Sequence, residues 1–377
     1  MTFSSSLAQR GWKECLFSEF VEIAPQVKLN NGSVYSFIEM ADLSENSKYC
    51  VSKETRTFNG SGTRFEEKDT LFARITPCLE NGKICQVRGL LNNKAFGSTE
   101  FHVFRGKTGI SDTDFVFYLS RWNEVRDFAE ANLHGTSGRQ RVPKESFDNL
   151  LLNLPSLPEQ RAIAGVLSSL DDKIDLLHRQ NKTLEGIAES LWRKMFVEDA
   201  DPKWKKGILG DVVTVSTGKG LKRNEYIENG VYPVIGANGE IGRTNNYLTD
   251  ENLILTGRVG TLGELFINYN QKIWISDNVF IIKPKADKYF YFIYFFLKEI
   301  EFENLNVGST QPLITQTDLK QIECSIPKGS LVEFFQNQCV RLFDKIQRNI
   351  NQILTLSHLR DTLLPRLMNG EVGIKNS

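Results

Sequence analysis

Two polar loops bounded by glycine carry the side chains best suited to chemistry. Gly135-Thr-Ser-Gly-Arg-Gln-Arg-Val-Pro-Lys144 presents Thr136, Ser137, Arg139, Gln140, Arg141 and Lys144 without an acid, and Gly308-Ser-Thr-Gln311 presents Ser309, Thr310 and Gln311. Hydroxyls, amides and guanidinium groups in loops bond phosphate oxygens and the donor and acceptor edges of bases. Arg74 and Lys83 flank a second turn at Asn81-Gly82, and Lys222, Arg223, Asn238, Arg243 and Arg258 extend the set in the second half of the chain. Arg74 and Arg258 each follow a strand-like run, which makes them candidates for one equivalent position. The chemistry these types favour is the binding of nucleic acid, not the breaking of bonds.

Motifs for bond-breaking are missing from the sequence. It has no Asn/Asp-Pro-Pro-Tyr/Phe segment for amino-methylation, no GxxxxGK[ST] phosphate cradle, no Gly-x-Ser-x-Gly and no His-Glu-x-x-His. Gly218-Lys-Gly220 is a lone glycine pair in a basic loop. The six cysteines form no CxxC pair and no zinc spacing, so they are expected to be reduced and mostly in the core. Asp171-Asp172-Lys173 reads as a solvated helix face, and the four histidines suggest no site.

With 46 basic and 46 acidic residues the formal net charge is zero, which by itself speaks against a nucleic-acid partner. The charge is unevenly distributed: residues 203–223 carry Lys203, Lys205, Lys206, Lys219, Lys222 and Arg223 against Asp211 alone. No apolar run approaches the ~18–20 residues that span a bilayer, and residues 1–10 lack the apolar core of a signal peptide. A cytoplasmic protein is expected.

The elements that must position these loops are written twice. Trp12-Lys13 with Leu16, Phe17 and Glu19 matches Trp204-Lys205 with Ile208, Leu209 and Asp211. Ser98–Arg105 matches Ser276–Lys283, and Gly135–Gln140 matches Gly308–Gln311. After each glycine loop come a proline, Pro155 or Pro327, and a long helical pattern. Each copy mixes short strands, including Gly97–Arg105 and Ile273–Lys283, with one aromatic-rich helix, over Asp114–Ala131 and Lys288–Glu303.

Ser156-Leu-Pro-Glu159 and Ser330-Leu-Val-Glu333 fit the capping box that opens a helix. Apolar spacing of three and four residues then runs from Leu167 to Met195 and from Phe335 to Leu367, about four heptads each. One asparagine interrupts each seam, Asn181 and Asn349. Setting them opposite one another in an antiparallel pair matches Ile174 with Leu356, Leu177 with Ile353, Leu184 with Ile346, Ala188 with Leu342 and Leu167 with Leu363. Leu170 then faces Arg360, whose head would snorkel outward. The two asparagines either fix this register or lie at the edges of separate seams. About 30 paired residues would span ~45 Å, roughly 13 base-pair steps.

Several stretches resemble the DNA specificity subunits of type I restriction–modification systems: Leu71-Phe-Ala-Arg-Ile-Thr-Pro-Cys-Leu-Glu-Asn-Gly-Lys83, Gly97–Phe101, Tyr232-Pro-Val-Ile-Gly-Ala-Asn-Gly239, Gly308-Ser-Thr-Gln-Pro-Leu-Ile314, Leu154-Pro-Ser-Leu-Pro-Glu-Gln160 and Leu363-Leu-Pro-Arg-Leu-Met-Asn-Gly-Glu371. Ile326-Pro-Lys-Gly-Ser330 departs from the pattern at the second helix entry. The resemblance covers essentially the whole chain and implies an α/β (α+β) fold with a pseudo-twofold internal repeat. Two globular target-recognition domains, 1–155 and 198–327, would be separated by two long antiparallel coiled-coil helices, 156–197 and 328–370, with a tail at 371–377. It further implies that each domain reads half of a bipartite duplex target, that the helices set the unread spacer, and that this chain is not itself catalytic and holds no cofactor. Two modification subunits would bring S-adenosylmethionine and adenine methylation; two restriction subunits would bring ATP and Mg. From the residues alone, an enzyme with unrecognised catalytic groups and a scaffold without a DNA role stay open.

Overall fold

A computed structural model of the chain describes residues 11–136, 138–305 and 312–374. These fall in two compact units: one runs up to Arg179 and takes in the stretch from Asn349 onward, the other is Gln180–Arg348.

The first unit contains, in chain order, β1 (Lys13–Leu16), α1 (Phe17–Phe20), β2 (Val21–Ile23), β3 (Val34–Ile38), β4 (Tyr49–Cys50), β5 (Glu54–Thr57), β6 (Thr63–Glu66), β7 (Thr70–Ala73), β8 (Ile84–Val87), β9 (Lys94–Gly97), β10 (Phe101–Gly106), α2 (Thr113–Arg121), α3 (Asn123–Ala131), β11 (Leu151–Leu154) and the start of α4 (Leu157–Arg193). Its central sheet has the order β2-β10-β7-β8-β4, its second sheet β5-β3-β9-β6, and β1 pairs with β11 alone. The middle strands β7 and β8 are buried along their whole length, as short apolar runs covered on both faces should be. Gly97 allows β9 to lie parallel against β3, since a Cβ there would stand 2.1 Å from the Ile38 carbonyl oxygen.

The second unit contains the remainder of α4, then β12 (Lys205–Ile208), α5 (Leu209–Val212), β13 (Val213–Thr217), β14 (Tyr232–Gly236), β15 (Gly239–Thr244), β16 (Leu253–Gly257), β17 (Leu265–Asn268), β18 (Trp274–Ile275), β19 (Val279–Pro284), α6 (Phe290–Lys298), α7 (Gln316–Lys320), β20 (Glu323–Ile326) and the start of α8 (Gly329–Met368). Its sheets have the orders β13-β19-β16-β17 and β15-β14-β18, and β12 pairs with β20 alone.

The repeat is therefore one of topology. β2-β10-β7-β8 corresponds to β13-β19-β16-β17. The parallel pair β3/β9 corresponds to β14/β18, and the closing ribbon β1/β11 corresponds to β12/β20. In both units the chain crosses from the second sheet to the central one at the same place, between β9 and β10 and between β18 and β19. That crossing splits each of the two runs expected to be single strands. The first unit adds β4 and β6.

The expected helix over Asp114–Ala131 is two helices. Asp112 caps α2 by accepting from the Phe115 N–H at 3.0 Å, and Trp122 between α2 and α3 is extended (φ −66°, ψ 138°) with its ring buried. Burying an indole of some 200 Å² is worth roughly 5 kcal/mol, more than the roughly 1 kcal/mol of a continued backbone bond, so the helix yields. In the second unit α6 covers Phe290–Lys298, less than the expected Lys288–Glu303.

The long helices are continuous over 37 residues in α4 and 40 in α8. α8 starts at Gly329, ahead of Ser330, so Ser330–Glu333 lies inside the helix and is not its cap. At the start of α4, Glu159 accepts from Trp12 Nε1 at 3.0 Å. Within the first unit, Ile163, Ala164 and Leu167 of α4 share a core with Leu363, Leu364, Leu367 and Met368 of α8 and with Trp12, Phe17, Phe104 and Phe147. Arg360, upstream of Leu363, reaches Asp171, downstream of Leu167, so the two helices run antiparallel there. In the second unit the turn that follows α4 is anchored by rings: Phe196 lies 4.9 Å from Phe292 and 5.2 Å from Phe335.

Two expectations on the helices are corrected. Arg360 does not snorkel: it is 4% exposed and donates to Asp171 at 2.7 Å. Asp171-Asp172-Lys173 is a solvated face only in part: Asp172 is exposed and accepts from Tyr49 Oη, whereas Asp171 is 3% exposed and also accepts from Tyr118 Oη. Lys48 to Ser168 and Arg88 to Asp175 complete a polar seam that fastens α4 to the first unit. Asp171 turns inward because two other helices bring its donors, Tyr118 from α2 and Arg360 from α8. Asn349 is fully buried and Asn181 half-buried; they belong to different units.

Candidate nucleic-acid interface

In the first unit the candidate residues gather where β7 ends. Arg74 follows β7 directly; its N–H donates to the Glu100 carbonyl at 3.0 Å and its own carbonyl accepts from Val142 N at 2.9 Å. The next residue, Ile75, bridges to Arg141, and Thr76 and Gln140 exchange two bonds at 3.0 Å each. The loop from Gly135 is thus laid across the end of β7. Gly135 and Gly138 take φ of 124° and 77°, the left-handed region that glycine enters without strain.

The side chains divide sharply. Arg141 gives Nε and Nη2 to the Glu100 carboxylate (2.6–3.0 Å) and Nη1 to the Arg139 carbonyl at 3.2 Å. Those bonds hold the Glu100 carboxyl below its ordinary range. Lys83 donates to the Met40 carbonyl at 3.2 Å and turns away from the loop. Thr136, Arg139 and Lys144 are exposed. Ser137 lies outside the described residues.

Arg74 and Lys144 line one groove of about 450 Å³, together with Lys28, Arg64 and His102 and with no carboxylate in its wall. A groove with four cations and no acid attracts polyanions. The sequence reading missed Lys28, Arg64 and His102. Arg64 lies in β6, which the second unit lacks, so the repeat could not flag it; Lys28 lies in the β2–β3 connection, whose counterpart is the β13–β14 connection that carries Lys222 and Arg223. His102 could have been found, since it stands in the matched strand opposite Phe280. Burial pushes His102 down to about 4, with Arg74 adding to the effect, so it is neutral at pH 7 and its Nε2 donates to the Val142 carbonyl at 2.8 Å.

In the second unit Arg258 follows β16 as Arg74 follows β7. Its N–H donates to the Asn278 carbonyl at 2.9 Å and its carbonyl accepts from Ile314 N at 3.0 Å; Val259 bridges to Leu313. The Arg258 guanidinium lies 6.0 Å from the centre of the Phe280 ring. Arg243 is occupied: it donates to the Gly230 and Val231 carbonyls (2.7 and 2.9 Å) and to Glu240 at 2.9 Å. Lys222 and Arg223 are exposed in a loop, and Asn238 is exposed at the β14–β15 turn. Ser309, Thr310 and Gln311 lie outside the described residues. Gly218 owes its identity to packing, since a Cβ there would stand 2.2 Å from the Ile275 carbonyl oxygen.

Among the described residues no cluster of His, Cys, Asp and Glu is arranged to hold a metal ion, and no helix is long and apolar enough to cross a membrane. The six cysteines are free thiols, four of them buried.

Comparison with known proteins agrees with this frame. The sequence matches the family described as type I restriction modification DNA specificity domain twice, over residues 10–186 and 202–357. It is 26% identical to the MjaIX specificity subunit of Methanocaldococcus jannaschii over 70% of each chain. It is 23% identical to the HindI specificity subunit of Haemophilus influenzae over 96% of this chain and 99% of that one. The fold is similar to that of the type I restriction-modification system S subunit from M. genitalium (TM-score 0.56, 17% identity, 97% of each chain covered).

Proposed function

The chain belongs to the type I restriction modification DNA specificity family, and we propose that its two matched regions each read one half of a bipartite duplex target. The domains run 1–155 and 198–327, the helices 156–197 and 328–370 fix the number of unread base pairs, and 371–377 is a tail. DNA sequence recognition is the family's role; the division into two halves is inferred from the repeat. The observation that supports it most is the repeated frame: Arg74 and Arg258 leave equivalent strands under the same pair of backbone bonds.

This chain positions partners and catalyses nothing itself. Two modification subunits dock on the helices and supply S-adenosylmethionine and adenine methylation; two restriction subunits add ATP- and Mg-dependent cleavage. Single-molecule sequencing of the host genome tests the reading. A split motif of methylated adenines that vanishes when this gene is deleted is expected. A motif that survives the deletion, or is not split, overturns it.

A further inference from the structure

We infer that Arg74 and Arg258 are the base readers of the two units, each taking the O6 and N7 acceptors of one guanine in its half of the target. The inference rests on the bipartite reading above and names the residue and the base on which each half depends.

The position comes first. Both arginines follow the last residue of a buried central strand, and both are held at backbone N–H and C=O by the two neighbouring segments. A reader must be placed to within a fraction of an ångström, and strand ends do this better than free loops. The strand register confirms the equivalence: Ala73 pairs with Phe101, Gly257 with Val279, and each arginine comes next.

The donors come second. Arg141 and Arg243 are used up on Glu100, Glu240 and backbone carbonyls. Arg105 is likewise used up on Asp69. Among the described residues Arg74 and Arg258 have no carboxylate within ion-pair distance, and the Nε of each is shut off from solvent with no hydrogen-bond partner. A buried donor without a partner is costly and rare in native proteins. Here the same atom is left so in both units, and rotation of a long, half-buried side chain brings the whole fork out to a ligand.

The surroundings come third. Arg258 lies over the Phe280 ring, and His102 holds the same register position in the first unit, neutral and beside Arg74. A ring beneath a guanidinium orients its plane. Beside Arg74, the cations Lys28, Arg64 and Lys144 line the groove and suit phosphates flanking the base that is read. The planar fork of arginine matches the two acceptors of guanine; adenine would set its N6 donor against another donor.

The test uses the full chain in its native complex and duplexes carrying the motif found by genome sequencing. Each guanine is replaced in turn by 7-deazaguanine, which lacks the N7 acceptor. The unsubstituted protein is expected to lose about tenfold in affinity at one guanine in each half. R74Q should erase that discrimination in one half only and R258Q in the other, while R74K keeps overall affinity without restoring discrimination. Tolerance of 7-deazaguanine at every position by the unsubstituted protein overturns the inference without any variant having to fold. So does a uniform loss in R74Q across all duplexes, with the salt slope lower by about one, which marks a phosphate contact. An unsplit motif overturns both this inference and the bipartite reading; a split motif insensitive to either arginine overturns this inference alone.

Discussion

Arg360 near the end of α8 donates to Asp171 in α4 at 2.7 Å, with both side chains almost wholly buried, and Tyr118 Oη donates to the same carboxylate at 2.6 Å. The pair links the last long helix to the first recognition unit across 189 positions of sequence. Asp361 supplies Arg360 with a second, exposed carboxylate.

Breaking this pair from one side leaves Asp171 buried without a counter-charge, or Arg360 buried with only the exposed Asp361. Arg360→Met or Asp171→Leu is expected to destabilise the first unit by about 3–5 kcal/mol, whereas Arg360→Met with Asp171→Leu recovers most of the loss. Denaturant titration of the full chain checks both. A double variant as unstable as the singles would show that Tyr118, and not the ion pair, governs the site.

Glu100 and Arg141 form one structural unit at the end of β7. Arg141 is committed to Glu100, and together they hold the loop from Gly135 against β7. Glu100→Ala and Arg141→Ala should therefore each weaken binding by a similar factor, roughly two- to tenfold, by releasing that loop. The double variant should be no worse than either single. Salt-controlled binding measurements decide: if Glu100→Ala tightens binding while Arg141→Ala weakens it, Arg141 contacts phosphate directly.

His102 makes the first unit sensitive to mild acid. Its folded value of about 4 lies below the ordinary 6.5, so the unfolded chain takes up the proton first as pH falls. Stability is then complete above about pH 6.5, is lost progressively down to about pH 4 and is flat below that for this group, by about 3 kcal/mol in all. His102→Phe places in the first unit the residue that the second carries at Phe280. It should flatten the pH profile between 6.5 and 5 while forfeiting roughly 1 kcal/mol with the bond to Val142. Thermal melting as a function of pH reads both effects.

Much of this protein is legible in its sequence because the signals are local. The three- and four-residue spacing marks α4 and α8, the glycine pairs mark turns, and the paired landmarks from Trp12 and Trp204 onward mark the repeat. Arg74 and Arg258 could be matched because each follows its strand directly. What the tertiary structure alone decided rests on partners far away in sequence. Which arginines are braced by a carboxylate depends on where Glu100 and Glu240 lie. Asp171 is buried because Tyr118 and Arg360 come to meet it, and the helix breaks at Trp122 because a core has room for its ring. Periodicity reports which face of an element turns inward; it cannot report which donors are waiting there, since those come from other elements, and that is what sets the roles of single side chains.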